Sequence, residues 1–100
     1  MTDAELHTIL DTYPDKVAEA LGKFKTATVD RERLAAKLYL QIKAEFADDK
    51  ITVDEIKARV KADEGHYRAC LEEIIAESEY TALYEKLLCA KRESGMRTAF

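Results

Sequence analysis

Proline occurs once and glycine three times in the 100 residues of this chain. A β-sandwich or barrel reverses direction roughly every 8–12 residues and draws on many turn formers, so an all-β fold is excluded. Cysteine occurs only at positions 70 and 89, without the dense spacing of a secreted scaffold. Both thiols are therefore expected to be reduced and buried, with no disulfide required. Long apolar runs are missing as well. A stretch such as Leu87-Leu88-Cys89-Ala90 falls far short of the roughly 18 residues of a membrane span. Met1-Thr2-Asp3-Ala4-Glu5 lacks the basic start of a signal peptide, which points to a soluble, cytoplasmic protein with no membrane partner. Finally, there is no excess of positive charge. A formal net charge of −4 argues against a surface that grips nucleic acid all over.

What is present is a chain of 47% hydrophobic and 36% charged residues, too apolar for a disordered tail and long enough for one helical domain over residues 1–100. Charge is segregated along it. Residues 16 to 43 hold seven bases (Lys16, Lys23, Lys25, Arg31, Arg33, Lys37, Lys43) against Glu19, Asp30 and Glu32. Residues 71 to 85 carry Glu72, Glu73, Glu77, Glu79 and Glu85 with no base, and the tail turns basic again at Lys86, Lys91, Arg92 and Arg97. Such blocks suit solvated helix faces, or helices that pack on oppositely charged neighbours in the same chain or another copy.

Thr2 and Glu5 form a capping box before Leu6, Ile9 and Leu10, predicting a short first helix to about Asp11. Tyr13-Pro14 is expected to end it, with Pro14 as the first residue of a new helix. Val17, Leu21, Phe24, Leu34, Leu38, Ile42 and Phe46 then recur at helical steps, predicting one helix of about thirty residues whose weak point is Thr26 to Asp30. Ala47-Asp48-Asp49-Lys50 reads as a polar loop. Thr52-Val53-Asp54-Glu55 is a second capping box, opening a short helix with Ile56 and Val60 on its buried side. Asp63-Glu64-Gly65 interrupts or kinks the chain. Tyr67, Leu71, Ile74 and Ile75, leading into Tyr80, Leu83, Tyr84, Leu87 and Leu88, predict a second long helix from about His66 to Ser94, its stripe shifting at Glu77-Ser78-Glu79.

The fold class that follows is all-α, a long antiparallel helical hairpin with short additional helices, completed by oligomerisation. A hairpin two helices thick leaves apolar positions uncovered, and each large side chain gains roughly 1.5–3 kcal/mol on burial. The chain itself is therefore the first expected partner, as a homo-oligomer through Leu34, Leu38, Ile42, Tyr80, Leu83 and Leu87.

Chemistry-bearing constellations are few. His66 and Cys70 are spaced i, i+4 and would supply two metal ligands, but a structural zinc site needs four in clustered spacing. Cys89 lies between Leu88 and Ala90 and reads as a small core residue rather than a nucleophile. No phosphate loop, nucleophile elbow or zinc-protease motif is present. The expectation is a protein that is not an enzyme, with no metal and no cofactor. Lys57, Arg59, Lys61 and Arg68, interleaved with Tyr67, form a basic run, and the tail adds Lys91, Arg92, Arg97 and Phe100. Bases that follow phosphates beside rings that stack on bases are the pattern of sequence-tolerant single-strand binders. Repeated around an oligomer, a few such contacts per copy would add by avidity.

The order Arg33-Leu34, Lys37-Leu38, a loop, Thr52, Glu55-Ile56-Lys57, Tyr67, Glu77-x-Glu79-Tyr80, Leu87-Leu88 and Arg92 to Arg97 resembles small phage proteins of the UvsY recombination-mediator type. The resemblance covers roughly residues 30–100. It implies an all-helical subunit that forms a ring-like oligomer, binds single-stranded DNA and helps load a RecA-like recombinase in place of single-strand-binding protein. It also implies a Lys-x-Arg element used on DNA. The matching residues are Lys57-Ala58-Arg59; by order along the chain the counterpart is instead Lys43-Ala44-Glu45, where an acid replaces the arginine. The competing class is a small acidic helical adaptor or inhibitor, whose Glu72 to Glu85 face meets a basic protein and which never touches nucleic acid.

Overall fold

The computed structural model describes the backbone of residues 1–99 and the side chains of residues 1–96. It contains three helices, α1 (Asp3–Glu45), α2 (Val53–Ala62) and α3 (Glu64–Ala99), and α1 and α3 pack antiparallel as a hairpin. Both sequence-predicted N-caps are present, as the hydroxyl half of each capping box. The amide of Glu5 donates to Thr2 Oγ1 and that of Glu55 to Thr52 Oγ1, each at 3.1 Å, satisfying one of the orphan donors at each helix start. The loop after α1 is held by its own backbone, with the Asp49 amide on the Phe46 carbonyl at 3.0 Å and the Ile51 amide on Asp49 at 2.9 Å.

Boundaries differ from the sequence reading at Pro14 and at the two ends of α3. No break occurs at Tyr13-Pro14: α1 runs through Pro14. The ring removes the amide that would bond to the Leu10 carbonyl, at a cost of about 3 kcal/mol or more. Leu6 and Ile9 offset it by burying themselves against Ala90, with Leu10 and Tyr13 alongside. Detached at Asp11, that first stretch would lose its hold on α3. Thr26 to Asp30, the weak point, stays helical as the single-helix reading has it, since each β-branched residue costs only about 0.7 kcal/mol or less relative to alanine. α3, finally, starts two residues early, on a cap supplied by Asp63, and continues past Gly95.

The chain divides into two compact units. The terminal unit joins Met1–Phe24 with Ile75–Phe100. Its core is Leu6, Ile9 and Ala90, with Ala20 and Leu87 also buried. Phe24 stacks on Tyr80 at 6.3 Å between centroids, and Tyr80 on Tyr84 at 5.8 Å. Lys16 and Lys86 sit over the Tyr13 ring at 4.9 and 5.3 Å.

The loop unit, Lys25–Ile74, holds the rest of α1, the loop, α2 and the start of α3. Ile56 and Val60 bury the inner side of α2, as their spacing predicts. Its hairpin seam is polar. Arg31 Nε donates to both carboxylate oxygens of Glu73 at 3.0 Å, with both side chains half-buried. The Thr28 hydroxyl and then the Arg31 guanidinium hold the Glu73 carboxyl below the ordinary carboxylate range, and the bond to Glu73 raises Arg31 further above its usual value.

A carboxyl depressed on folding contributes stability above its unfolded pKa and loses it as pH falls through the folded value. Glu73→Gln is therefore expected to lower the thermal midpoint near neutrality. The gap from the parent should narrow as pH falls below the ordinary carboxylate range and close only once it has passed through the depressed folded value. Thermal melts followed by circular dichroism, run from neutrality into acid, check this.

The inward side of α3 also differs from expectation. Its buried and half-buried positions include His66, Ala69, Glu73, Ala76, Tyr80, Leu83, Leu87 and Ala90, an unbroken alternation of three- and four-residue steps of the kind that forms a coiled-coil seam. The stripe does not shift at Glu77-Ser78-Glu79. Instead Tyr67, Leu71, Ile74 and Ile75, the apolar residues whose spacing predicts the helix, face outward, Tyr67 at 59%, Ile74 at 56% and Ile75 at 58% exposed. The early turns of α3 turn alanines, His66 and the Glu73 carboxylate inward and leave the large side chains outside.

Candidate nucleic-acid interface

Every basic residue of the predicted DNA-binding run falls in the loop unit. On α2, positions 57 and 61 lie one turn apart on the same face, whereas position 59 points to the other side. The structure follows that geometry. Lys57 and Lys61 open onto one hollow together with Tyr39 from α1 and His66 from α3. Arg59 instead lays its guanidinium over the Phe46 ring, 4.3 Å from the centroid, tying α2 to the end of α1. Arg68 lies on the exposed side of α3, bonded to Glu64 at 2.6 Å across one turn. Tyr67 beside it exposes its ring.

The tail residues stand apart from these. Arg92 is exposed and belongs to the terminal unit. The Arg97 side chain and Phe100 lie outside the described residues. The other counterpart of the Lys-x-Arg element, Lys43-Ala44-Glu45, places Lys43 and Ala44 on an open, largely apolar hollow of about 640 Å³ beside the loop, with the exposed Leu40 and Val53 on its wall.

The acidic block separates into two kinds of carboxylate. Glu72, Glu77, Glu79 and Glu85 are exposed, while Glu73 is engaged with Arg31. Sequence distance hid this pair, because Arg31 and Glu73 are 42 residues apart and each reads alone as a surface charge. The seam spacing on α3 is the signal that identifies Glu73.

The six residues expected to meet another copy have mixed positions. Leu34, Leu38 and Ile42 are half-buried on α1. Tyr80 is held between Phe24 and Tyr84, Leu83 lines a small hollow with Ala20 and Lys16, and Leu87 is buried. Among the described residues the large apolar side chains left most open are others, Leu40, Met96, Tyr67, Ile75, Ile74 and Val53.

Cysteine placement corrects one expectation. Cys89 is exposed rather than in the core, because its chain neighbours Leu88 and Ala90 point to other sides of the helix. Cys70 is half-buried with its Sγ 3.8 Å from His66 Nδ1. Among the described residues no group of three or more His, Cys, Asp or Glu is placed to hold a metal ion, and no helix is long and apolar enough to cross a membrane. Set against protein-family models, curated proteins and solved structures, the chain matches none.

Proposed function

We propose that this chain is a non-enzymatic, self-associating helical protein that binds single-stranded DNA. The observation that carries this reading is the Tyr67 ring, 59% exposed on the turn of α3 that also holds Arg68 and His66, the latter sharing its hollow with Lys57 and Lys61. An exposed ring among bases offers a stacking surface next to groups that reach phosphates, and it works on any base because every base has a π-face. Association of copies is supported by the outward Leu71, Ile74 and Ile75, whose burial a second copy would supply. A role in loading a RecA-like recombinase is the further step implied by the resemblance to UvsY-type mediators.

Fluorescence anisotropy with labelled oligo-dT, beside light scattering on the free protein, tests the proposal. A mass that is a multiple of 11.4 kDa and a Kd that weakens steeply with salt are expected. Tyr67→Ala should cost about 1–3 kcal/mol of binding while leaving the salt slope unchanged, since stacking releases no counterions. Absence of binding at low salt would instead favour the adaptor reading. The specific observation behind that alternative is the exposure of the Glu72, Glu77, Glu79 and Glu85 carboxylates, which would meet a basic protein partner.

A further inference from the structure

The hollow between the three helices of the loop unit has a volume of about 280 Å³ and is lined by Arg31, Ala35, Tyr39, Lys57, Val60, Lys61 and His66. No carboxylate lines it. Two acids are bonded to lining residues: Glu73 accepts two bonds from Arg31 and pairs its charge, and Asp63 Oδ2 accepts from the His66 amide at 3.0 Å. Lys57 and Lys61, by contrast, form no ion pair within 4.0 Å among the described residues. Two ammonium groups without an ion pair, an imidazole and a phenol thus line the hollow beside the paired Arg31 and the apolar Ala35 and Val60.

We infer that this hollow is a subsite for one phosphate group, in which Lys57 and Lys61 hold the oxyanion and Tyr39 and His66 contribute further hydrogen bonds. Its charge points to an oxyanion, and its size is compatible: pockets for whole drug-sized ligands run to roughly 300–1,000 Å³, and a hollow at the lower edge of that range has room for one phosphate with part of its sugar. Lysine ammonium groups suit the task as point charges with rotatable donors. The subsite rests on the reading that this unit meets DNA, but its chemistry is that of any phosphate, whether in a DNA backbone or free in solution.

Two probes separate those sources. Inorganic phosphate is titrated while the ring protons of the two histidines are followed by NMR, with His7 in the terminal unit as internal reference. Oligo-dT is titrated against the parent, Lys57→Gln/Lys61→Gln and the charge-matched Lys25→Gln/Lys37→Gln, with helicity checked in each. The expected result is a phosphate-dependent shift of His66 alone, abolished in the first double variant. That variant should also lose about tenfold in oligo-dT affinity and about 1.4 from the salt slope, or 0.7 per lost contact, against a smaller loss in the control. Equal losses in both double variants would overturn the subsite and leave DNA binding in place. A His66 shift without any oligo-dT binding would support the subsite and remove the DNA reading. Failure of phosphate to move His66 in the folded protein overturns the subsite outright.

Discussion

Ile56→Ala is expected to destabilise the chain by about 2–5 kcal/mol. Ile56 is 3% exposed, and with Val60 it makes up the whole buried side of a ten-residue helix. A helix that short has little stability of its own and persists through the packing of its apolar face. The total stability of a small domain is about 5–15 kcal/mol, so the loss takes a large share of it. The conservative Ile56→Val, which leaves most of the contact, should cost only about 0.5–1.5 kcal/mol. Denaturant titrations of the three proteins give the comparison. Since α2 carries Lys57, Arg59 and Lys61, oligo-dT affinity should fall along with the fraction of molecules in which α2 is docked. A loss for Ile56→Ala no larger than that for Ile56→Val would mean that α2 is held by something other than its buried face.

Ala90→Asp is the second substitution with a large effect. Ala90 is 0% exposed and lies against Leu6 and Ile9 from the opposite end of the sequence. A carboxylate there enters an apolar contact at a cost of roughly 3–5 kcal/mol, the range found when a buried charge has no compensating partner. Ala90→Gly separates this from the intrinsic helix preference, which accounts for about 1 kcal/mol. Thermal melts are expected to rank the parent above the glycine variant and the glycine variant far above the aspartate. Equal midpoints for the two variants would show that the N-terminal turns of α1 contribute nothing at this position.

The same contact explains what the sequence leaves hidden. Proline at the start of a helix is a local rule, and Tyr13-Pro14 obeys its outward signs. What overrules it is the packing of Leu6 and Ile9 against a residue some eighty positions away, which no local window contains. The N-caps at Thr2 and Thr52 and the buried pair Ile56 and Val60 were legible because cap and period act within a few residues. The all-helical hairpin was legible for the same reason.

The inward face of α3 was not legible because an apolar stripe marks a helix without saying which side is covered. Tyr67, Leu71, Ile74 and Ile75 outscore Ala69, Glu73 and Ala76 on any apolar scale, yet it is the small and charged set that keeps the three- and four-residue steps toward α1. In the candidate interface, the basic character of α2 was readable from composition. Its division was not, because a 57-and-61 face distinct from 59 acquires meaning only once Tyr39, Phe46 and His66 arrive from other helices.

Asp63 links α2 and α3 single-handedly. Its extended backbone, φ −65° and ψ 130°, ends α2 with its amide on the Val60 carbonyl at 3.2 Å, while its carboxylate and carbonyl receive the amides of His66 and Tyr67, each at 3.0 Å. A Cβ on residue 65 would come within 3.1 Å of that carboxylate, so a larger residue there would press the cap aside by a few tenths of an ångström. A joint of one residue has no slack to act as a hinge. α2 cannot swing without first surrendering the opening turn of α3. The two amides would then become open to exchange with solvent deuterium together, and the mobility of the basic helix is bounded by the fraying of its neighbour.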